Sequence, residues 1–322
     1  SPQEVFFTSG GTEGDNWAIK GLALSRQDRG KHIITSSVEH PAVLRSAEHL
    51  ESLGFEVTRL KADRRGMVDP GDVRAAIRKD TTLVSVMFAN NEVGSVQPVA
   101  AIGQLAREHG VCFHTDAVQA VGAIPVDVNA IQADLLTLSA HKFHGPKGVG
   151  ALALGGNVRL QPLLYGGKQE NSLRAGTENT YGILGMMAAV LDVPVDASAM
   201  RRLKIRFVDA VLSSIPEAQV NGPDPNASDA CDHIVNLSFP PVQAQTMMHA
   251  LEAEGVLVSQ GSACSSRKKA SSATLKAMGL AQARMDSALR FSFSRFTTQD
   301  EVDQAAAACA RVYKALRPFT RR

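Results

Sequence analysis

One of the four cysteines, Cys264, lies in a polar stretch rich in serine and glycine, residues 258–273. A thiol becomes a good nucleophile when its surroundings lower its pKa below the usual value of about 8.5. The stretch therefore predicts a reactive sulfur on a movable loop. The other cysteines, Cys112, Cys231 and Cys309, form no C-x-x-C pair. Neither a disulfide framework nor a metal site is indicated, and a reducing cytoplasm fits best.

A lysine placed for covalent chemistry, Lys142, follows the apolar run Leu135–Ser139. An amine at a buried strand end is costly unless it is paired or used, and desolvation lowers its pKa as an imine-forming nucleophile requires. The pattern predicts a Schiff-base lysine. A lysine that extends to solvent is the alternative. Lys147 is a competing candidate, although its Gly-Pro-Lys-Gly setting is more typical of a turn.

The segment Ser9-Gly-Gly-Thr12 joins a strand-like run to a helical pattern. Backbone N–H groups at a helix N-terminus bind anions, and the small Gly11 allows close approach, so a phosphate fits there. Ser139 and His141 would add donors if the two loops meet. Glycine turns before helices are common, which makes this signal weak on its own.

Polar residues at other predicted strand ends suggest contacts to a planar ring. Asp116 could hold a pyridinium nitrogen protonated, and Gln119 could reach a phenolic oxygen. His40 could stack on the ring and move protons. The alternatives are a helix N-cap for Asp116 and a structural role for His40. Asn91 lies in Asn-Asn-Glu-Val-Gly, which is typical of a turn.

Composition sets limits on function. The 322 residues carry a net charge of +2 and are 44% hydrophobic, which predicts a soluble globular protein with no strong field for nucleic acid. The longest apolar run, residues 182–191, is shorter than the ~20 residues that span a bilayer. No targeting signal opens the chain.

Strand-like runs alternate with helical patterns through the first half of the chain, which predicts an α/β fold with a mostly parallel central sheet flanked by helices. Ligands bind at the carboxyl ends of such strands. After Gly182 the pattern becomes more helical. We therefore expect a large domain at residues 1–194 and a smaller α+β C-terminal domain at residues 195–322, which carries the cysteine loop.

Eight motifs in order, over nearly the whole chain, resemble the cysteine desulfurases of the NifS and IscS type in the class V aminotransferase superfamily. They are T-S-G-G-T-E (8–13), E-H (39–40), N-N-E-V-G (90–94), D-A-V-Q (116–119), S-A-H-K (139–142), R-A-G-T-E-N (174–179), G-S-A-C-S-S (261–266) and L-R-F-S (289–292). The resemblance implies the type I fold of pyridoxal phosphate enzymes. It also implies that sulfur is removed from L-cysteine, leaving L-alanine.

The resemblance assigns roles residue by residue. Lys142 would bind the cofactor and move the substrate's α-proton, and His40 would be the ring-stacking acid/base group. The cofactor-binding set it implies is Gly11, Thr12, His40, Asn91, Asp116, Gln119, Ser139, His141, Lys142 and Thr177. Thr177 is expected to complete the phosphate site of a neighbouring subunit, which implies a homodimer.

Asn91 and Arg290 match the groups that bind the substrate carboxylate, and a guanidinium suits a carboxylate bidentately. Cys264 matches the nucleophile that becomes a persulfide. An acceptor protein, such as an iron–sulfur scaffold or a tRNA-thiolation enzyme, would take the sulfur. No direct nucleic acid, membrane or metal partner is implied.

Family members carry an N-terminal arm before the first motif, and housekeeping members carry a C-terminal extension that docks an iron–sulfur scaffold. The present chain runs from Ser1, directly before that motif, to Arg322. Two alternatives stay open. One is a selenocysteine lyase or another class V lyase. The other is a sulfur-carrier partner that keeps the fold but is inactive.

Overall fold

The computed structural model describes residues 2–155, 158–193, 198–261 and 272–319. Backbone proximity divides the chain into two compact units. The first comprises Ser1–Lys61, Val68–Ala89 and Gln97–Val193, and the second comprises Ala62–Met67, Asn90–Val96 and Pro194–Arg322. The second unit thus includes two short segments from the first hundred residues as well as the C-terminal part of the chain.

A seven-stranded sheet, in the order β1-β7-β6-β5-β4-β2-β3, forms the centre of the first unit. Strands β2 to β6 run parallel, and β7 is antiparallel to both of its neighbours. This confirms the mostly parallel sheet predicted from the sequence. The strands are β1 (Val5–Thr8), β2 (His32–Ser36), β3 (Glu56–Leu60), β4 (Thr81–Ser85), β5 (Cys112–Asp116), β6 (Leu135–Ser139) and β7 (Gly150–Leu154).

Helices flank this sheet, and every residue of β2, β4 and β5 is buried, as expected where both faces of parallel strands are covered. A π-helical turn, Trp17–Gly21, follows the first α-helix directly, and its Trp17 packs edge-on against Phe6. The helices are α1 (Gly11–Asn16), α2 (Leu22–Ser25), α3 (Pro41–Ser52), α4 (Pro70–Ala76), α5 (Val99–Glu108), α6 (Val128–Ile131) and α7 (Thr180–Leu191).

The second unit has a three-stranded antiparallel sheet in the order β10-β9-β8. Its core includes Phe207 and Phe239, and Thr298 and Glu301 form a capping box at the start of its last helix. Its elements are β8 (Gln219–Asn221), β9 (Ile234–Ser238), β10 (Ala288–Ser292), α8 (Ser198–Ser214), α9 (Ala244–Ala253), α10 (Ala273–Ala277), α11 (Gln282–Asp286) and α12 (Gln299–Leu316).

The short apolar run within residues 255–259 predicts a strand that the structure does not form. Only Ser259 pairs there, in an isolated bridge to Arg290. The chain leaves α9 through Gly255 at a positive φ of 82° and meets β10 at this one point. Within the described ranges, no helix has both the length and the apolar character that crossing a membrane requires.

Candidate active site

Three loops meet at one edge of the seven-stranded sheet. In register, Thr8 at the end of β1 and Ser139 at the end of β6 both face Gly150 of β7. Asp116, at the end of β5, pairs with Thr137 of β6. Because β7 is antiparallel to both neighbours, the segments that follow β1, β5 and β6 all leave the sheet at the same edge. The condition for a joint phosphate site, that the two loops meet, is therefore fulfilled.

Glycines make this close approach possible. A Cβ on Gly150 would lie 2.8 Å from the Cα of Gly10, and one on Gly11 would lie 2.6 Å from Cγ2 of Val118. Gly10 also has a positive φ of 146°, which favours glycine. A side chain at Gly11 or Gly150 would push the loops apart.

The predicted phosphate donors surround this contact. The Ser139 hydroxyl lies 2.9 Å from Nδ1 of His141, and Thr12 is exposed in the first turn of α1. Burial lowers the pKa of His141, and the charges of Lys142 and Lys147 lower it further. Hydroxyl and imidazole donors beside two lysines and a helix N-terminus suit a phosphate.

Asp116 is a buried carboxylate at the end of β5. Burial raises its pKa to about 6, although the Val118 N–H at 2.9 Å, the Lys142 charge and a side-chain hydrogen bond with Asp15 lower it. Asp15 is itself buried in α1, and burial together with the Asp116 charge raises its pKa well above the usual value. Within this pair, the pKa shifts therefore favour the proton on Asp15 and the charge on Asp116. Sequence reasoning missed Asp15, although its position, about one helical turn after Gly10 and Gly11, marks it as an acidic residue near the strand ends.

His40 is the N-cap of α3. Its Nδ1 accepts the Ala42 N–H at 3.1 Å, so the proton of the neutral ring is on Nε2. Burial lowers the pKa of His40, and the Lys142 charge lowers it further. The ring is consequently a neutral donor through Nε2, as a stacking acid/base group would need.

The structure corrects the expected burial of Lys142. This residue lies in a 3₁₀ turn, Ala140–Phe143, directly after β6, and its side chain is exposed. Ala140 and Phe143 are the buried residues of this turn. The charge of Lys142 still acts on His40, Asp116 and His141, which places the amine among these groups. Gln119 is half-buried in the turn that follows Asp116.

Glu13 links the segment that contains Thr177 to the glycine segment Ser9–Thr12 of the same chain. Its carboxylate accepts the Ser9 N–H at 3.1 Å and the Arg174 Nε–H at 2.9 Å. Thr177, three residues after Arg174, is exposed. Sequence reasoning missed this pair, because nothing local marks an ion pair between segments so far apart. The reach of Thr177 into a neighbouring subunit stays a prediction.

In the second unit, the structure brings together the two residues predicted to bind the substrate carboxylate. The Arg290 Nη1 donates to the Asn91 carbonyl at 2.8 Å. Its Nε is buried and has no hydrogen-bond partner among the described residues. Burial lowers the pKa of Arg290, whereas the Glu92 charge raises it. A partly buried guanidinium whose Nε–H has no such partner suits an anionic ligand. Cys264 lies outside the described residues.

Next to the site, buried Glu39 gives a test of the electrostatics. Burial raises its pKa to about 8, although the Ser36 hydroxyl and the Met87 N–H lower it. Between the usual 4.5 and about 8, the folded protein keeps a proton that the unfolded chain has lost. Stability should therefore fall as pH rises through this window, by up to about 1.4 kcal/mol per pH unit from this group.

We expect Glu39→Gln, which mimics the protonated acid, to flatten this slope. Urea unfolding at several pH values between about 5 and about 8 measures it. Glu108→Gln, at an exposed position, is the control and should keep the wild-type slope. Parallel slopes for wild type and Glu39→Gln would show that Glu39 is ionised in the folded protein.

Comparison with known proteins agrees with this arrangement. The family described as Aminotransferase class-V matches residues 1–305. The cysteine desulfurase IscS of Methanosarcina thermophila is 44% identical over 318 residues, which cover 98% of this chain and 78% of that protein. The IscS of Dictyoglomus turgidum is also 44% identical, with 98% and 81% covered.

Solved structures give the same result. A NifS-like protein superposes with a TM-score of 0.90 at 34% identity and covers 98% of this chain and 84% of its own. A structure titled SspA in complex with cysteine gives a TM-score of 0.80 at 37% identity, with 92% and 83% covered. The chain belongs to the class V aminotransferase family. Within it, the chain groups with the NifS- and IscS-type proteins, which confirms the resemblance seen in its motifs.

Class V aminotransferases are in general pyridoxal phosphate enzymes, and the residues present fit that cofactor. Asp116 is a buried carboxylate suited to a cationic ring nitrogen. Ser139 and His141 supply phosphate donors next to a glycine contact that any Cβ would fill. The exposed Lys142 amine stands among them.

Proposed function

We propose that this protein is a pyridoxal phosphate-dependent cysteine desulfurase, which converts L-cysteine to L-alanine and leaves a persulfide on Cys264. The observation that carries the proposal is the meeting of Asp116, Lys142 and the Ser139–His141 pair at one edge of the sheet. Relatives named cysteine desulfurase match nearly the whole chain and add support.

The residues of the first unit would hold the cofactor and move protons. Lys142 would bind it through the amine and then carry a proton at the substrate's α-carbon. Ser139, His141 and Thr12 would bind its phosphate, while Gln119 would meet its phenolic oxygen. Asp116, with Asp15 hydrogen-bonded to it, would keep the ring nitrogen protonated. When bound, the cofactor supplies an electron sink that stabilises negative charge next to the α-carbon.

Cys264 would act as the sulfur acceptor. Its thiolate attacks the sulfur of the substrate, the carbon–sulfur bond of cysteine breaks, and a sulfur–sulfur bond forms. The proton from the Cys264 thiol balances the one that the β-carbon of alanine takes up. No outside oxidant is needed, because the two electrons that the sulfurs lose when the persulfide forms are taken up by the β-carbon as it becomes the methyl group of alanine. Arg290 and Asn91 would hold the substrate carboxylate.

The direct test is to load the protein with cofactor, add L-cysteine and measure alanine. We expect alanine in equal amount to persulfide in a first turnover, and sulfide on further turnover with a dithiol present. L-selenocysteine is the comparison substrate. Alanine from selenocysteine without any from cysteine would identify a selenocysteine lyase, and a cofactor-loaded protein inactive on both would be a sulfur carrier.

We also propose that the sulfur passes to an acceptor protein in the cytoplasm, such as an iron–sulfur scaffold or a tRNA-thiolation enzyme. Cys112, Cys231 and Cys309 are free thiols, which suits a reducing compartment. Transfer of radiolabelled sulfur from Cys264 to captured proteins would identify the acceptor.

A homodimer is the assembly we propose. Helix α7 buries only Gly182 and Met186, although it is almost wholly apolar. Its outer face is instead exposed, with Tyr181 at 89% and Leu191 at 79%. The exposed apolar residues of the helix are Tyr181, Leu184, Met187, Val190 and Leu191. Such a patch marks an interface, and a second copy would cover it with the same residues about a twofold axis. The patch begins four residues after Thr177, which would then lie at the interface.

Breaking this face should separate the subunits and weaken cofactor binding. We expect Leu184→Glu/Met187→Glu to sediment as a monomer, because two buried charges would oppose association. Cofactor retention on dilution should fall with it, since binding and association are linked. Leu53→Glu, at an exposed leucine of the same unit, should leave both unchanged. A monomer that holds its full cofactor at low concentration would rule out the shared role of Thr177.

A further inference from the structure

Glu92 is a buried acid to which neither the motifs nor the reaction give a role. It is 6% exposed in the second unit. Its Oε2 accepts the Ser272 hydroxyl at 2.5 Å, and its Oε1 accepts the Thr274 hydroxyl at 3.2 Å. Buried carboxylates need such donors, and hydrogen bonds to an ionised acceptor are strong. Glu92 therefore holds the start of helix α10 at two points.

The same carboxylate lies against the other end of the segment that contains Cys264. Gly261 is the last described residue before that segment, and Ser272 is the first after it. A Cβ on Gly261 would lie 3.5 Å from Oε2 of Glu92 and 3.8 Å from Cβ of Ser272. Gly261 and Ser272, which flank residues 262–271 in the sequence, therefore lie close together, and the Glu92 carboxylate lies beside both.

Glu92 is in turn fixed to the predicted substrate-binding pair. Its N–H donates to Oδ1 of Asn90 at 2.8 Å, and its carbonyl accepts from Asn236. The neighbouring Asn91 carbonyl accepts from Arg290, whose backbone pairs with Ser259. Burial raises the pKa of Glu92, and the two hydroxyls and the Arg290 charge lower it.

We propose that Glu92 is a positioning residue, which fixes the start of α10, directly after residues 262–271, in register with Arg290. This rests on the proposed function, in which the Cys264 thiol, which precedes Ser272 in the sequence, has to meet a substrate whose carboxylate Arg290 binds. Sulfur transfer then depends on Glu92, although Glu92 touches no reacting atom.

The experiment compares Glu92→Gln with the wild type in two measurements. We expect kcat for alanine formation to fall by at least about tenfold, because small misplacements of a nucleophile are costly. Cysteine affinity, from the spectral change of the bound cofactor, should stay within about twofold. The rate at which iodoacetamide alkylates the Cys264 thiol should change by at least about threefold, because Glu92 no longer holds the chain at Ser272.

Variants of Ser272 provide matched controls. Ser272 also caps α10 by accepting the Leu275 N–H. Ser272→Asp keeps the cap but replaces the donor with a like charge, so it should reproduce Glu92→Gln. Ser272→Asn keeps both the cap and a donor, and should restore near wild-type behaviour. If Glu92→Gln fails to fold, this pair carries the same test.

The proposed positioning role of Glu92 would be overturned if kcat or the alkylation rate stayed at the wild-type value in Glu92→Gln or in Ser272→Asp. A loss seen only in cysteine affinity would overturn it too, because Glu92 would then act on Arg290 alone. These results are distinct from failure of the proposed function, in which the wild type itself would form no alanine from cysteine. The alkylation measurement does not depend on the desulfurase activity of the protein.

Discussion

Cys264→Ser should keep the cofactor and lose sulfide production by roughly 10³-fold or more, because the nucleophile is removed while the electron sink remains. The remaining thiols cannot replace it. Burial raises the pKa of Cys112 and Cys231 to about 11 and that of Cys309 to about 12, so none is a thiolate near neutral pH. Single-turnover alanine formation and steady-state sulfide release measure the loss.

Cys112→Ala serves as the control, since it also removes one thiol and should keep most of the activity. The cofactor absorbance of Cys264→Ser should match that of the wild type. Sulfide released by this variant at the wild-type rate would contradict a persulfide on Cys264.

Lys142→Ala should abolish the absorbance band of the lysine-bound cofactor and reduce alanine formation by roughly 10³-fold or more, because one amine both binds the cofactor and moves the proton. Borohydride reduction of the wild type, followed by peptide mass analysis, should place the cofactor on the peptide that contains Lys142.

Lys147→Ala is the matched control, because this lysine is also exposed and its charge also acts on His141. It should keep the band. A band that survives in Lys142→Ala but disappears in Lys147→Ala would mean that the other lysine binds the cofactor.

The sequence predicts the strand ends well, because apolar runs bounded by Gly, Asp or Ser mark them directly. The pattern of these runs alone therefore places Thr12, Asp116, Ser139 and Lys142 at one edge of a parallel sheet. The expected burial of Lys142 is wrong because this residue occupies an exposed position in the short turn after β6.

Pairings between distant segments could not be predicted. Glu13 with Arg174, Asp15 with Asp116, and Glu92 with Ser272 join residues that no local pattern relates. Each of these pairs forms only because the strand order or the tertiary fold brings two distant segments of the chain together. Helix α9 was also missed, although its buried Met247 and Leu251 have helical spacing.

The route of the chain between the two units has a consequence for how the protein can be cut and made. Because residues 62–67 and 90–96 belong to the second unit, no single cleavage separates the units, and a fragment from 195 onward would lack the turn that carries Asn91 and Glu92. Ser95 pairs with Ala230, and Arg65 forms an ion pair with Asp229. During synthesis on the ribosome, residues 62–67 and 90–96 emerge long before the residues that they contact. The second unit can therefore complete its fold only near the end of synthesis.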